Sequence, residues 1–320
     1  MRLFISAGLW LFLSGWSCLT VIAVADQTES VSAEQLAAQM ESGELQQRRD
    51  AVYALSAMGT DALPALPALL KGLEHSDEQI RAQSVTAVAR IGEAAIQAVP
   101  LLVRQLGSRD DQTRYRAAWA IGQIGPAALP ILKEEISNDN APTRVGIAGA
   151  LGWMPSESET CLPLLTRLLE DHDESVAEAS ARALAKHGNA AESILEQALA
   201  HRFVRVQTAA AAGLADAERI SASARKKLVG LVSADSGDLR AAALTTLTAS
   251  DFDREQLLSL IIDRLSDDDT RVRSAAILAL KKQKLHNDKV AAALSGQLLA
   301  ADSAKRSAAA FALGSLGPAA

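Results

Sequence analysis

The chain has 320 residues, with 32 Lys and Arg against 38 Asp and Glu, for a formal charge of −6. Apolar residues make up 49% and aromatics only 3%, a profile that suits close-packed helices and argues against a β-rich fold. The acidic balance weakens any reading built on phosphate binding.

Residues 1–25 differ from everything after them. Arg2 is followed by an uncharged run from Leu3 that ends in Ala23-Val24-Ala25 before Asp26. This predicts a signal peptide cleaved after Ala25, and so an exported chain, in the periplasm or outside the cell. Cleavage would leave Cys161 as the single cysteine, with no intrachain disulfide, and a charge of −7. The rival is an uncleaved membrane anchor, because the stretch is long enough to span a bilayer. Scattered Ser, Gly and Thr and the Ala-Val-Ala ending favour cleavage. Gly15 and Trp16 argue against a lipoprotein site at Cys18.

From about Ser32 to Leu316 one frame recurs. Take Arg114 as position zero: Ala120 then falls at +6, Ile121 at +7 and Gly125 at +11. The same frame starts at Arg48, Arg81, Arg144, Ala177, Arg205, Arg240, Arg273 and Arg306, about every 33 residues. Position +6 is alanine in every unit except at Thr246, and +7 is a branched aliphatic except at Ala212. Such a period means stacked helical units without a central core.

Each unit predicts two helices. The first is Leu-rich and opens with prolines such as Pro64, Pro67, Pro100, Pro130 and Pro163, which a first turn tolerates. The second starts after position −4, where Asp77, Asp110, Asn140, Asp173, Ser236, Asp269 and Asp302 can accept its orphan N–H groups. Glycine at +11 (Gly59, Gly92, Gly125, Gly188, Gly317) stops it in a left-handed conformation. The predicted units run over about 32–58, 62–91, 95–124, 127–153, 158–187, 190–214, 218–249, 253–283 and 287–316.

These residues resemble HEAT repeats, in particular the short HEAT-like class named after phycobilisome lyases. The matching features are the proline-and-leucine first helix, Asp77-Glu-Gln-Ile80-Arg81 and Asp269-Thr-Arg-Val272-Arg273, and the Ala-x-Ala-Leu-x-x-x-Gly run. The resemblance implies an all-α, right-handed superhelical solenoid of about nine helix pairs, with second helices lining a concave side that holds other proteins. In that family the repeated acid–arginine pairs link successive units, so they are expected to be structural here.

Candidate binding residues are those that do not repeat. Positions +1, +5 and +9 point away from the packed face and carry Arg49, Tyr53, Arg90, Tyr115, Trp119 and Trp153, with Arg116 among them. Aromatics and arginines anchor interfaces because they bury much area for little lost side-chain entropy. The competing reading is that Trp119 and Trp153 fill grooves between units. No cofactor or metal is expected: no histidine precedes glutamate, as the di-iron HEAT enzymes require, and His172, His187 and His201 fall near turns. Serine-nucleophile motifs, phosphate loops and paired cysteines are missing. The sequence therefore reads as an exported non-enzymatic scaffold for a protein or peptide, with no nucleic-acid or small-molecule ligand. A bilin lyase or isomerase acting on a phycobiliprotein is the alternative.

Overall fold

The computed structural model describes residues 31–217, 219–283 and 288–316. The expected signal segment, Cys18, His286 and Gly317 lie outside the described residues. Among those described are eighteen α-helices and no strand, arranged as nine successive pairs. The first five pairs are α1 (Ala33–Ser42) with α2 (Leu45–Met58), α3 (Leu66–Gly72) with α4 (Glu78–Ile91), α5 (Val99–Leu106) with α6 (Asp111–Ile124), α7 (Leu129–Glu135) with α8 (Ala141–Leu151) and α9 (Ser158–Leu169) with α10 (Glu174–Lys186). The other four are α11 (Asn189–Ala198) with α12 (Val204–Leu214), α13 (Ala222–Leu231) with α14 (Gly237–Ala249), α15 (Arg254–Arg264) with α16 (Thr270–Gln283) and α17 (Asp288–Gln297) with α18 (Ser303–Leu316).

Within a pair the two helices pack together, and each second helix packs on the second helix of the next pair, from α2 on α4 to α16 on α18. The result is an α-solenoid. Small residues make the close approach possible. Ala87, Ala120, Ala150, Ala183 and Ala211 at +6 are 0–2% exposed, and Val88, Ile121, Leu151 and Leu184 at +7 are 0% exposed. Position +4 is buried in every second helix except the last, where Ala310 is exposed.

The helix starts follow from the caps. Asp77 accepts from the Ile80 amide at 3.0 Å, Asp110 from Thr113 at 2.7 Å, and Ser236 from Leu239 at 3.4 Å. At position −4 of the sixth pair His201 does not cap; α12 begins later, after Phe203. Pro67, Pro100 and Pro130 sit in first turns as expected. Pro163 does not: α9 starts five residues earlier, so this proline removes a donor inside a helix.

Glycines 59, 92, 125 and 188 have φ between 58° and 77°. Their ψ of −129° to −144° differs from a left-handed helical cap and belongs to a region open essentially to glycine alone. After Gly59, Gly92 and Gly125 the chain passes directly into a 3-10 segment that leads into the next first helix. The run Glu78–Leu106 is long and apolar enough to cross a membrane by composition, but it is two helices of successive pairs, broken at Gly92.

The repeated arginine has a local task. Arg81, Arg144, Arg240, Arg273 and Arg306 each donate from Nη1 to two carbonyls five and six residues earlier, closing the turn between the paired helices. Arg144 and Arg240 also link successive units, but to Asp171 and Asp267, six residues before the next position zero; the repeated acids at −4, expected to make that link, cap their own helices instead, as Asp173 and Asp269 do. Where Ala177 replaces the arginine, Arg205 of the next pair donates to Asp171 O at 2.9 Å and Glu170 O at 3.3 Å. The neighbouring unit thus supplies a guanidinium to one of the two clasp carbonyls, that of Asp171.

Candidate functional site

The seven candidate residues fall into three groups. Arg49 and Arg90 serve the framework. Arg49 Nη2 lies 2.5 Å from Asp77 Oδ2, and its hydrogen bond, with that of the Ile80 amide, holds the Asp77 carboxyl down to about 2. Arg90 Nη1 donates to Ser56 O of the preceding pair at 2.6 Å. Arg116 is half-buried in a small recess with Glu78, Arg81 and Gln105, and its charge adds to the Thr113 hydrogen bonds that lower the Asp110 pKa.

Tyr53 on α2 is 64% exposed and stands apart from the other aromatics. Trp119 on α6 is half-buried and packs against the core.

The third group is a contact between three pairs. Tyr115 on α6 is 59% exposed, and its ring meets Trp153 edge-on with centroids 6.4 Å apart and planes at 76°. Trp153 lies in the turn just past α8, not on the helix. Its stem rests on Gly122 of α6, where a Cβ would lie 2.3 Å from the Trp153 Cβ. Groove filling therefore accounts for the stem, while the ring continues to Tyr115. Lys186, from the last turn of α10, places Nζ 4.2 Å from the Trp153 ring centroid. Stacks of this kind contribute about 0.5–1 kcal/mol at exposed sites. Lys186 is a functional candidate that the repeat analysis passed over, although it occupies the same +9 position as Trp153.

Two of the reactive side chains, Cys161 and His187, are buried. Cys161 is 0% exposed, and burial, with the charge of Glu157, pushes its thiol up to about 11. His187 lies in the turn after α10, as expected, but it is buried, 6% exposed, and bonded to Ser158 Oγ at 2.8 Å and Leu151 O at 3.1 Å. No group of three or more His, Cys, Asp or Glu positioned to hold a metal occurs among the described residues. A cleft of about 610 Å³ lies between the second and third pairs and is lined by charged residues including Glu74, Arg81, Arg104 and Asp110.

Helix pairs in series, with conformationally fixed turns and a cross-unit aromatic patch, define an α-solenoid repeat protein. The model of HEAT repeats matches residues 66–149, 129–215 and 224–314, and that of the PBS lyase HEAT-like repeat matches 47–75. The chain belongs to the HEAT-repeat family. No curated protein matches it. Among solved structures, Kap95p, from a study of its binding to RanGDP, is 13% identical over 90% of this chain and 46% of its own, with a TM-score of 0.51. The karyopherin Kap121p, bound to the extreme C-terminus of the protein phosphatase Cdc14p, is 14% identical over 89% and 37%, with a TM-score of 0.50. The complex of CpcE and CpcF of phycocyanin lyase from Nostoc sp. PCC7120 gives 21% identity over 80% and 97%, with a TM-score of 0.34. This chain spans less than half of Kap95p and of Kap121p. The likeness to those two is one of fold.

Proposed function

We propose that the protein is an exported, non-enzymatic scaffold that docks a protein or peptide on the exposed face of its second helices, with Tyr115 and Trp153 as the anchor. The observation that carries this reading is the ring contact itself. Tyr115, Trp153 and Lys186 come from three successive pairs and form one surface that no single unit possesses. Large aromatic area held rigid by its neighbours is what interface hot spots consist of. Tyr53 and Trp119, at +5 of their own second helices, are further candidate contacts. Export rests on residues 1–25 and on the Ala23-Val24-Ala25 ending.

Two measurements test the proposal. Affinity capture with the chain starting at Asp26 is compared with a Tyr115→Ala/Trp153→Ala double variant whose helical content and melting are checked in parallel. The expected result is a partner retained by the first and lost from the second while the fold persists. Equal capture by both would refute the anchor. Expression with the native N-terminus, followed by mass spectrometry of the exported product, should give Asp26 as the first residue; a chain retained with residues 1–25 intact would favour the membrane-anchored form.

A further inference from the structure

We infer that the docked partner is an acidic peptide segment, seated where Trp153 and Lys186 meet. This rests on the docking reading above and adds the partner's charge.

Charge is unevenly distributed over the helices. The protein is acidic as a whole, at −6, yet its carboxylates avoid the bodies of the second helices. From +1 to +10 across all nine units there are seven basic residues and two acidic ones, Asp50 and Glu178. Asp50 accepts from Gln46 at 2.9 Å, and Glu178 is paired with Arg182 at 3.0 Å. The remaining carboxylates of the array lie on the first helices, at the turns, where Asp77, Asp171 and Asp267 bind arginines, and in the first turns of the second helices, as Glu78, Asp111, Glu174 and Asp238 do.

Helix dipoles favour bases at C-terminal ends, which suits Arg90, Lys186, Lys281 and Lys282 in last turns. That effect does not reach Arg116 and Arg182 in mid-helix, nor does it clear acids from the helix centres. In the helix bodies nearest the anchor, Arg114–Ile124 and Arg144–Met154 contain no carboxylate, and Asp111, one turn before Tyr115, is paired with Arg114. Lys186 has no carboxylate partner among the described residues; its ammonium sits over the indole instead. A cation fixed on an aromatic face, beside an exposed tyrosine, is arranged for a ligand that brings both a carboxylate and apolar area.

A peptide fits this arrangement better than a nucleic acid does. Screening confines the local field to about 8 Å at physiological salt, so a short acidic segment meets the basic helix bodies. A long polyanion would also meet the turn edge, with its Asp267-Asp268-Asp269 cluster, and the net negative charge.

Peptides of about 12 random residues are selected by display on the chain starting at Asp26, and separately on an Arg182→Glu/Lys186→Glu variant; binders are then titrated by fluorescence polarisation beside a single-stranded oligonucleotide. The expected pool is enriched in Asp and Glu with an apolar residue nearby, and its members lose at least about tenfold in affinity on the variant. Neutral or basic peptides that depend on Trp153 but not on Lys186 would overturn the charge assignment and leave the docking surface standing. Binders indifferent to both, or none, would overturn the surface as well. Tighter binding of the oligonucleotide would replace the peptide with a nucleic acid.

Discussion

Arg144 holds Asp171 of the following helix pair by two parallel bonds, Nε to Oδ2 at 2.8 Å and Nη2 to Oδ1 at 2.9 Å. The side chains are 5% and 11% exposed, so this bridge is nearly dry. Burial alone would raise the Asp171 pKa, but the hydrogen bonds from Arg144 and from the Asp173 amide outweigh it and hold the carboxyl below its usual value. The stabilisation is therefore complete above about pH 3.9 and fades as pH falls through the folded-state value. Arg144→Met would strand a buried carboxylate, and urea denaturation at neutral pH should show a loss of about 3–5 kcal/mol. The difference from wild type should narrow toward pH 3. A loss no larger than that of an exposed pair such as Arg104–Glu74 would mean the bridge contributes little.

His187 gives stability the opposite dependence from a paired histidine. Burial pushes its pKa down, and the hydrogen bond with the Leu151 carbonyl offsets this only in part. The unfolded chain thus takes up a proton more readily than the folded one. Stability from this residue is present above about pH 6.5 and is lost as the pH drops below it. Melting temperatures measured from pH 7.5 to 5 should fall more steeply for the native protein than for His187→Gln, which cannot titrate. Parallel slopes would show that the imidazole is protonated without cost.

Gly122 is required by Trp153. A Cβ there would lie 2.3 Å from the tryptophan Cβ and 3.0 Å from its Cγ, so Gly122→Ala must displace the indole stem. Overpacking of this kind costs about 1–3 kcal/mol. Chemical denaturation should show that loss, together with a changed tryptophan emission spectrum. Gly230→Ala is the control, because nothing lies within 4 Å of its added methyl.

Arg205 supplies the guanidinium that Ala177 lacks, at 2.9 and 3.3 Å from the Asp171 and Glu170 carbonyls. Arg205→Ala should cost about 1.5–3 kcal/mol, as expected for hydrogen bonds to a charged donor. Amide exchange should accelerate in the turn around Asp171–Asp173, ahead of the rest of the array. Uniform exchange along the chain would argue against a local clasp.

The fold was legible because its signal is repeated. Alanine at +6, an aliphatic at +7 and a cap at −4 recur often enough that one irregular unit does not obscure them. Some of the misreadings lie where the repeat lapses. His201 occupies the cap position, but the helix starts after Phe203, whose ring lies beneath the guanidinium groups of Arg202 and Arg205 at 4.5 and 4.4 Å. Ala177 announces a missing arginine, but no local pattern says that Arg205, 28 residues later, fills its place. The candidate site was legible only as a set of exposed positions. Which of them meet depends on contacts between units: the wheel treats Arg49 and Tyr115 alike, at +1, yet Asp77 takes the first and Trp153 the second. Lys186 was passed over because a lysine in a last helical turn satisfies the dipole without further explanation.

Gly125 separates Tyr115 from both Trp153 and Lys186 along the chain. With φ of 77° and ψ of −144°, it sets the direction in which the polypeptide leaves α6, and no slack linker follows to absorb an error. A rotation of a few degrees there would swing every later pair as a lever swings its load. The spacing of the two rings consequently depends on this turn as well as on the packing of Trp153 against Gly122. Substitution at this joint could mistune recognition while leaving each helix pair individually sound.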